Sequence, residues 1–181
     1  VTAALAERPD ALDLQLAKAE IDLVRGDAAG ALATMRAVIE RASQSARAQA
    51  MLGEAARREG QSALATEAFD RALALDAREP RALVGKVHLA IDATEPAEAA
   101  AALARAREQG AVDRVLATEL EGRVQVMQGL GDEAMRTLRR PALRSRDASL
   151  IAAFGWALAQ AEADRDAIRQ FERAVALDPG Q

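Results

Sequence analysis

The chain has 181 residues, a formal net charge of −4 and no cysteine. The lack of cysteine excludes disulfides, thiolate metal sites and thiol catalysis. The acidic balance disfavours a protein that grips nucleic acid by its phosphates, so we expect no nucleic acid partner. No apolar run approaches the roughly 20 residues that a membrane-spanning helix needs, so we expect no membrane insertion.

A pattern of small and bulky residues recurs along the chain at intervals near 34 residues. An alanine stands at Ala31, Ala65, Ala99, Ala134 and Ala167, with successive gaps of 34, 34, 35 and 33 residues. A bulky apolar residue follows four positions later each time, at Met35, Phe69, Leu103, Leu138 and Phe171. A period of this length is typical of stacked supersecondary units, in which each unit shares its apolar face with its neighbours.

In chain order, the pattern predicts the tail of a preceding helix followed by five helix pairs. The predicted ranges are 1–10 for the tail, then 11–44, 45–78, 79–112, 113–147 and 148–181 for the pairs. Gly60 is expected to end a helix in the second pair, and Pro96 to stand in the first turn of a helix in the third. Pro141 predicts that the second helix of the fourth pair ends early or kinks near Arg140. Because 1–10 resembles half a pair, we expect the chain to be a segment of a longer array.

Two copies carry a more specific signature. The second has Leu52-Gly53, Gly60, Ala65, Phe69, Ala72 and Leu75-Asp76, and the last has Phe154-Gly155, Ala167, Phe171, Ala174 and Leu177-Asp178-Pro179. These residues resemble the tetratricopeptide repeat, and the resemblance covers essentially the whole chain. It implies a single all-α domain, a right-handed α-solenoid of about five antiparallel helix hairpins.

The resemblance also implies where a partner binds. In such repeats the first helix of each pair lines a concave groove that holds an extended peptide or a helix. Carried over by position, the expected groove residues are Asp13, Leu16, Glu20, Arg47, Glu54, Arg57, Arg81, Val84, His88, Ile91, Glu119, Arg123, Met127 and Trp156. Leu23, Ala50, Val126, Ala152 and Ala159 complete the same set of positions.

Three features have both a functional and a structural interpretation. Trp156, the only tryptophan, is an aromatic anchor for a partner, a ring that packs against a further repeat, or a partly buried ring of the core. Arg47, Arg57, Arg58 and Arg81 form either a basic patch for an acidic segment or a helix face paired locally, because Glu54 and Arg58 are four apart. The run Arg136, Arg139, Arg140, Arg144 and Arg146 is either a contact for anionic lipid or nucleic acid or, as we favour, solvated convex surface.

The sequence offers no catalytic or metal constellation. His88 is the only histidine, with Asp92 four residues on, and a pair of this kind alone makes neither a metal site nor a catalytic dyad. Acidic residues such as Asp27, Asp132 and Asp164 stand where helix caps are expected. We therefore expect no enzyme activity and no cofactor.

The favoured function is a protein-protein interaction scaffold that holds a peptide or protein partner in the groove. The alanine and arginine content resembles arrays of bacteria with GC-rich genomes, so envelope assembly, polysaccharide export or secretion is the expected setting, periplasmic or cytoplasmic. One alternative is the substrate-recruiting arm of a larger enzyme such as a transferase. Another is self-association through exposed repeat ends.

Overall fold

The computed structural model describes residues 11–178, and all regular secondary structure in that range is α-helical, which confirms the all-α prediction. In chain order the helices are α1 (Leu12–Val24), α2 (Ala28–Arg41), α3 (Ala46–Arg58), α4 (Ser62–Leu75), α5 (Pro80–Asp92), α6 (Pro96–Glu108), α7 (Arg114–Met127), α8 (Gly131–Arg144), α9 (Ala148–Gln160) and α10 (Asp164–Leu177). Each predicted repeat range holds two of these helices, and the repeat boundaries themselves stay a prediction. The predicted helix tail at 1–10 and Pro179 lie outside the described residues.

The turn inside each hairpin repeats one backbone conformation. Gly26, Gly60 and Gly129 have φ values of 80°, 71° and 76°, and Thr94 and Glu162 hold the same place with φ of 58°. Glycine adopts this left-handed conformation without steric cost, whereas a residue with a β-carbon is strained in it. The hairpin turns therefore recur at the same intervals as the repeated alanines Ala31 to Ala167, even where the turn residue is not glycine.

The prediction that α8 ends early at Pro141 is wrong, whereas the alternative of a kink near Arg140 stays a prediction. The helix continues past Pro141 to Arg144. Proline lacks the amide hydrogen that would donate to the Thr137 carbonyl, so one backbone hydrogen bond is lost, but only three helical residues follow Pro141. The Ser145 amide then donates to the Ala142 carbonyl at 3.3 Å and closes the last turn.

The chain divides into two compact units between Leu89 and Ala90. In the first, α1 to α4 and most of α5 enclose a core in which Met35, Met51 and Phe69 are fully buried. Glycines let the helices approach closely, because a β-carbon at Gly53 would stand 2.6 Å from the Phe69 ring. In the hairpin α3–α4, the Phe69 ring of α4 therefore packs directly against the backbone of α3 at Gly53.

In the second unit, α7 to α10 pack around Leu138, Leu150 and Ile151, which are at most 1% exposed, and α6 packs on α7. The same device recurs: a β-carbon at Gly155 would stand 2.7 Å from the Phe171 ring. Helices α7 and α9, each the first helix of its hairpin, pack against each other in this unit. Between residues 11 and 178, no helix has the length and apolarity to cross a bilayer.

Candidate partner-binding groove

In the first unit, the charged residues expected in the groove pair with one another. A guanidinium nitrogen of Arg81 on α5 contacts the Glu20 carboxylate on α1, sixty-one residues away. On α3, Glu54 accepts hydrogen bonds from Arg57 at 3.1 Å and from Arg58 at 2.6 Å. Among the residues of the expected basic patch, three of four thus contact a carboxylate, which favours the local-pairing interpretation.

Glu54 is the electrostatic centre of this arrangement. Its burial alone would raise the pKa of the carboxyl, but the hydrogen bonds and charges of Arg57 and Arg58 outweigh burial and lower the pKa below 4.5. Arg58 also donates to the Leu23 carbonyl on α1 at 3.1 Å. The cluster therefore ties α1 to α3 while keeping Glu54 ionised at neutral pH.

The other expected residues of this unit differ in their exposure. Leu16 and Leu23 are 2% and 3% exposed and Ala50 is fully buried, so all three belong to the core and leave no surface for a partner. Asp13 and Arg47 are exposed. The remaining members are half-buried on α5, namely Val84 and His88. The surface of the first unit thus has no continuous apolar stripe along these positions.

The second unit contains an open cavity of about 970 Å³. Its lining residues are Ile91, Thr94, Arg123, Val126, Met127, Ser149, Ala152, Ala153, Trp156, Phe171, Ala174 and Val175. Six of these come from the groove positions expected on the sequence, at the end of α5 and on α7 and α9. Arg123 is the one charged residue in the lining, and most of the others are apolar.

Two lining residues of the cavity, Arg123 and Ser149, belong to a short polar network with Glu119. Glu119 is 7% exposed and accepts a hydrogen bond from the Ser149 hydroxyl at 2.9 Å. Burial raises the pKa of the Glu119 carboxyl and the charge of Asp147 adds to this, against the opposing effects of Ser149 and Arg123. The Arg123 guanidinium is 3.9 Å from Glu119, too far for a hydrogen bond. Arg123 therefore keeps hydrogen-bond donors available at the cavity wall.

Trp156 forms one side of the cavity. Its side chain is 60% exposed, and its ring meets the Phe171 ring edge-on with 5.2 Å between centroids. The exposed area is the largest aromatic surface that α9 offers, and tryptophan is enriched among residues that dominate binding energies. The edge-on contact with Phe171 restrains the orientation of the Trp156 ring.

The second helices of the hairpins contribute residues that the sequence did not single out for the groove. Phe171, Ala174 and Val175 on α10 close the cavity opposite α7. Phe171 had been recognised only as a repeat residue, because the family pattern places such positions in the core. Val175 is 50% exposed, and with Ile168 and Leu177 it is one of three exposed large apolar residues on α10, which is the signal that the sequence offered for this surface.

The other candidate sites have fewer features that could bind a partner or a ligand. The five arginines from Arg136 to Arg146 are all exposed, as expected for solvated surface. Within residues 11–178 no group of three or more acidic, histidine or cysteine residues is arranged to hold a metal ion. The cavity beside Arg123 and Trp156 is therefore the most developed site of the described chain.

Comparison with known proteins gives a fold and no closer relationship. No protein-family model matches the sequence, and no curated protein matches it. The chain is similar to the solved structure of PilF from Pseudomonas aeruginosa, with 22% identity and a TM-score of 0.70 over 93% of this chain and 77% of that one. TTC0263, a thermophilic tetratricopeptide-repeat protein of Thermus thermophilus, matches with 15% identity and a TM-score of 0.79 over 94% and 93% of the two chains.

A third similar structure is YrrB, a tetratricopeptide-repeat protein with an unusual peptide-binding site. It shares 19% identity and a TM-score of 0.58 over 99% of this chain and 93% of its own. Identities this low establish the fold alone. The chain therefore has the tetratricopeptide-repeat fold, a helical solenoid, and the resemblance seen in the sequence is confirmed.

Proposed function

We propose that the chain is a protein-interaction module whose second unit holds a peptide segment in the cavity beside Arg123, Met127 and Trp156. The segment carries a bulky apolar side chain that packs on Trp156 and a carboxylate that pairs with Arg123. The observation that carries the proposal is the combination, in one open cavity, of an apolar lining, a single charged residue and an exposed tryptophan.

The chemistry of the cavity favours a peptide with both features. Apolar surface provides affinity, and a few placed polar groups fix orientation and provide specificity. A guanidinium offers a planar fork of donors that matches a carboxylate. Most of the cavity lining is apolar, so a carboxylate that approaches Arg123 leaves water and gains more from the pairing than it would on an open surface. It competes there with the Glu119 carboxylate, which is 3.9 Å from the Arg123 guanidinium.

The scaffold supports this use because its groove is preformed. Helices α7 and α9 hold Arg123, Met127 and Trp156 on regular backbone, so little conformational entropy is lost when a ligand binds. The fold shared with YrrB, which has a peptide-binding site, supports the same class of function. A setting in bacterial envelope assembly, polysaccharide export or secretion is part of the proposal.

A displayed library of random peptides, selected against the full chain, tests the proposal without knowledge of the natural partner. We expect the selected peptides to share an acidic residue and a bulky apolar residue. Trp156 is the only tryptophan of the chain, so its fluorescence reports binding in the cavity directly. A selected peptide is expected to shift the emission to shorter wavelength as it covers the ring.

Matched variants decide whether the cavity is the site. Arg123→Glu is expected to weaken binding of selected peptides at least tenfold, whereas Arg114→Glu, an exposed arginine in the first turn of the same helix, leaves it unchanged. Met127→Asp is expected to weaken it as well, because it places a charge in the apolar lining. Peptides that bind both arginine variants equally would refute the assignment of the cavity.

A further inference from the structure

The solvent side of α8 and the loop that follows it hold the densest group of arginines in the chain. The group consists of Arg136, Arg139, Arg140, Arg144 and Arg146, and all five are exposed. No acidic residue stands between Glu133 and Asp147. Within residues 11–178 none of the five contacts a carboxylate, whereas the arginines of the first unit that surround Glu20 and Glu54 do. Local pairing therefore does not explain this group.

The packing of α8 places three of these arginines around an exposed leucine. The buried side of the helix consists of Ala134, Leu138 and Ala142. On the opposite side, Leu143 follows Arg139 by four positions and Arg140 by three, so the three side chains share one stripe along the helix, and Arg136 extends it by one turn. Leu143 is 54% exposed. This arginine stripe, namely Arg136, Arg139, Arg140 and Leu143, thus places an apolar group among guanidinium groups.

The backbone beneath this surface is held by neighbouring helices. The Arg173 guanidinium on α10 donates to the Ala142 carbonyl at 2.9 Å and also to the Ser145 carbonyl. Asp147, the first acidic residue after the arginines, accepts from the Ser149 amide at 2.9 Å and caps α9. The end of α8 is thus tied to α10, and the carboxylate that follows it in the chain is engaged in a helix cap.

The helix dipole accounts for one arginine of the group. A cation in the last turn of a helix is stabilised by the partial negative charge there, and on α8 Arg144 alone has this place. The arginines of the stripe lie before the last turn, and Arg136 and Arg140 are like charges four residues apart, a spacing that destabilises a helix. Exposure alone would suit a solvated surface. The arrangement around Leu143 indicates instead a partner with negative charge and apolar surface side by side.

We propose that the arginine stripe, together with Arg144 and Arg146, binds the surface of an anionic lipid bilayer. The guanidinium groups donate hydrogen bonds to lipid phosphates, for which their planar fork is well suited. Leu143 enters the layer between the headgroups, while the arginine stems lie along apolar surface with their charged ends at the phosphates. The helix lies on the bilayer surface and stays packed on its own core.

Leu143 favours a bilayer over other anionic partners. A bilayer has hydrocarbon beneath its phosphates, so neighbouring side chains of one stripe meet both layers. Nucleic acid offers phosphates without such an apolar layer, and peptides bind in concave sites rather than on the solvent side of a helix. The net charge of −4 does not prevent the contact, because charges farther away than a Debye length, about 8 Å at physiological salt, are largely screened.

Sedimentation with vesicles tests the proposal. Vesicles of phosphatidylcholine with about 30% phosphatidylglycerol are expected to carry the full chain into the pellet at low salt, whereas vesicles of phosphatidylcholine alone are not. Binding should weaken as salt is raised from roughly 50 mM to 500 mM, because the guanidinium charges are screened. Arg139→Glu combined with Arg140→Glu is expected to weaken binding at least about twentyfold, since each charge near an anionic surface contributes about fivefold.

Arg71→Glu combined with Arg105→Glu is the matched control for total charge. Both arginines are exposed, they lie on α4 and α6, and neither pairs with a carboxylate within residues 11–178. This control variant should bind anionic vesicles as the wild-type chain does. Circular dichroism verifies that both charge variants keep their helices.

Leu143→Trp in a Trp156→Phe background reports directly on contact with the bilayer, because the chain then has a single tryptophan, on the arginine stripe. Its emission is expected to shift to shorter wavelength when anionic vesicles are added. Val115→Trp in the same background reports from a residue that is 58% exposed on α7 and should show no shift.

A wild-type chain that stays in the supernatant with anionic vesicles at low salt would overturn the proposal. So would an Arg139→Glu, Arg140→Glu variant that binds as tightly as its control, or a Leu143→Trp emission that the vesicles leave unchanged. Binding to a DNA duplex or to polyglutamate without binding to vesicles would assign the stripe to another class of partner and overturn this one. Arg123→Glu tests the peptide cavity separately and should leave vesicle binding unchanged.

Discussion

The Phe69 ring packs directly on the backbone of Gly53, where a β-carbon would stand 2.6 Å from two ring carbons. Gly85 borders the same ring from α5, so the ring has no free space on that side into which it could move. The two helices α3 and α4 can approach as they do only because this position lacks a side chain. The leucine-glycine pair noted in the sequence thus has a direct steric reason.

Gly53→Ala is therefore expected to lower the free energy of unfolding by about 1–3 kcal/mol, as overpacking of a core does. Alanine has the higher helix propensity by about 1 kcal/mol, so an uncrowded site would show the opposite sign. Urea unfolding measures the change. In a Phe69→Leu background the same substitution should cost less, and an equal cost in both backgrounds would contradict the steric account.

The turn at Thr94 stores backbone strain that can be removed. Its φ of 58° is the conformation that Gly60 adopts in the preceding hairpin, and a β-branched side chain disfavours it. We expect Thr94→Gly to raise the free energy of unfolding by about 1 kcal/mol, measured by urea or thermal unfolding.

The reverse exchange provides the control for Thr94. Gly60→Thr is expected to lower the free energy of unfolding by about the same amount, because nothing lies within 4 Å of the position of its β-carbon and only the backbone cost changes. If Thr94→Gly proved destabilising, contacts of the threonine side chain would outweigh its backbone strain.

The periodicity of the sequence predicted the helix pairs well and the helix ends less well. Asp27 caps α2 as expected, with its carboxylate accepting from the Gly30 amide at 2.8 Å. Asp132 and Asp164 do not cap, because α8 and α10 begin at Gly131 and Asp164 and place these carboxylates inside the first turn. A shift of one or two residues in the start of a helix decides whether an aspartate caps it or lies in its first turn. A repeat interval near 34 residues does not predict helix starts to that precision.

The site was predictable only in part, for a related reason. The resemblance to the tetratricopeptide repeat, carried over by position, identified Arg123, Met127 and Trp156, which line the cavity. It did not foresee that Glu20 and Arg81 contact each other, since sixty-one residues separate them and only the packing of α1, α3 and α5 brings them together. Which charged residues remain available to a partner is thus a property of the tertiary structure.

Trp156 and Ile151 are expected to differ sharply in their contribution to stability. Ile151 is fully buried on α9, and Ile151→Ala is expected to cost about 2–5 kcal/mol. Trp156→Ala loses a ring that is 60% exposed and one edge-on contact with Phe171, so we expect a cost of about 1 kcal/mol. Thermal unfolding of both variants makes the comparison. A large loss from Trp156→Ala would show that the ring is mainly structural and would weaken its role as a binding anchor.

Glu54 and Glu119 are both buried, and their pKa values shift in opposite directions. The folded chain holds the pKa of Glu54 below 4.5, so its ionised form adds stability above that pH, and the contribution is lost as pH falls through the lowered pKa. The folded chain raises the pKa of Glu119. Stability therefore falls as pH rises from 4.5 through the raised pKa, because the unfolded chain ionises first.

Replacement by glutamine is therefore expected to have opposite effects at neutral pH. Glu54→Gln should lower the free energy of unfolding at pH 7 by about 2 kcal/mol, since Arg57 and Arg58 lose a charged acceptor, and the loss should shrink below pH 4.5. Glu119→Gln should raise it by up to about 1 kcal/mol at pH 7, because the amide oxygen still accepts from Ser149 without carrying a buried charge. This gain should vanish as pH approaches 4.5. Urea unfolding from pH 4 to pH 8 tests both. A Glu119→Gln variant less stable than wild type at pH 7 would mean that Arg123 and Ser149 stabilise the charge of Glu119 by more than its burial costs.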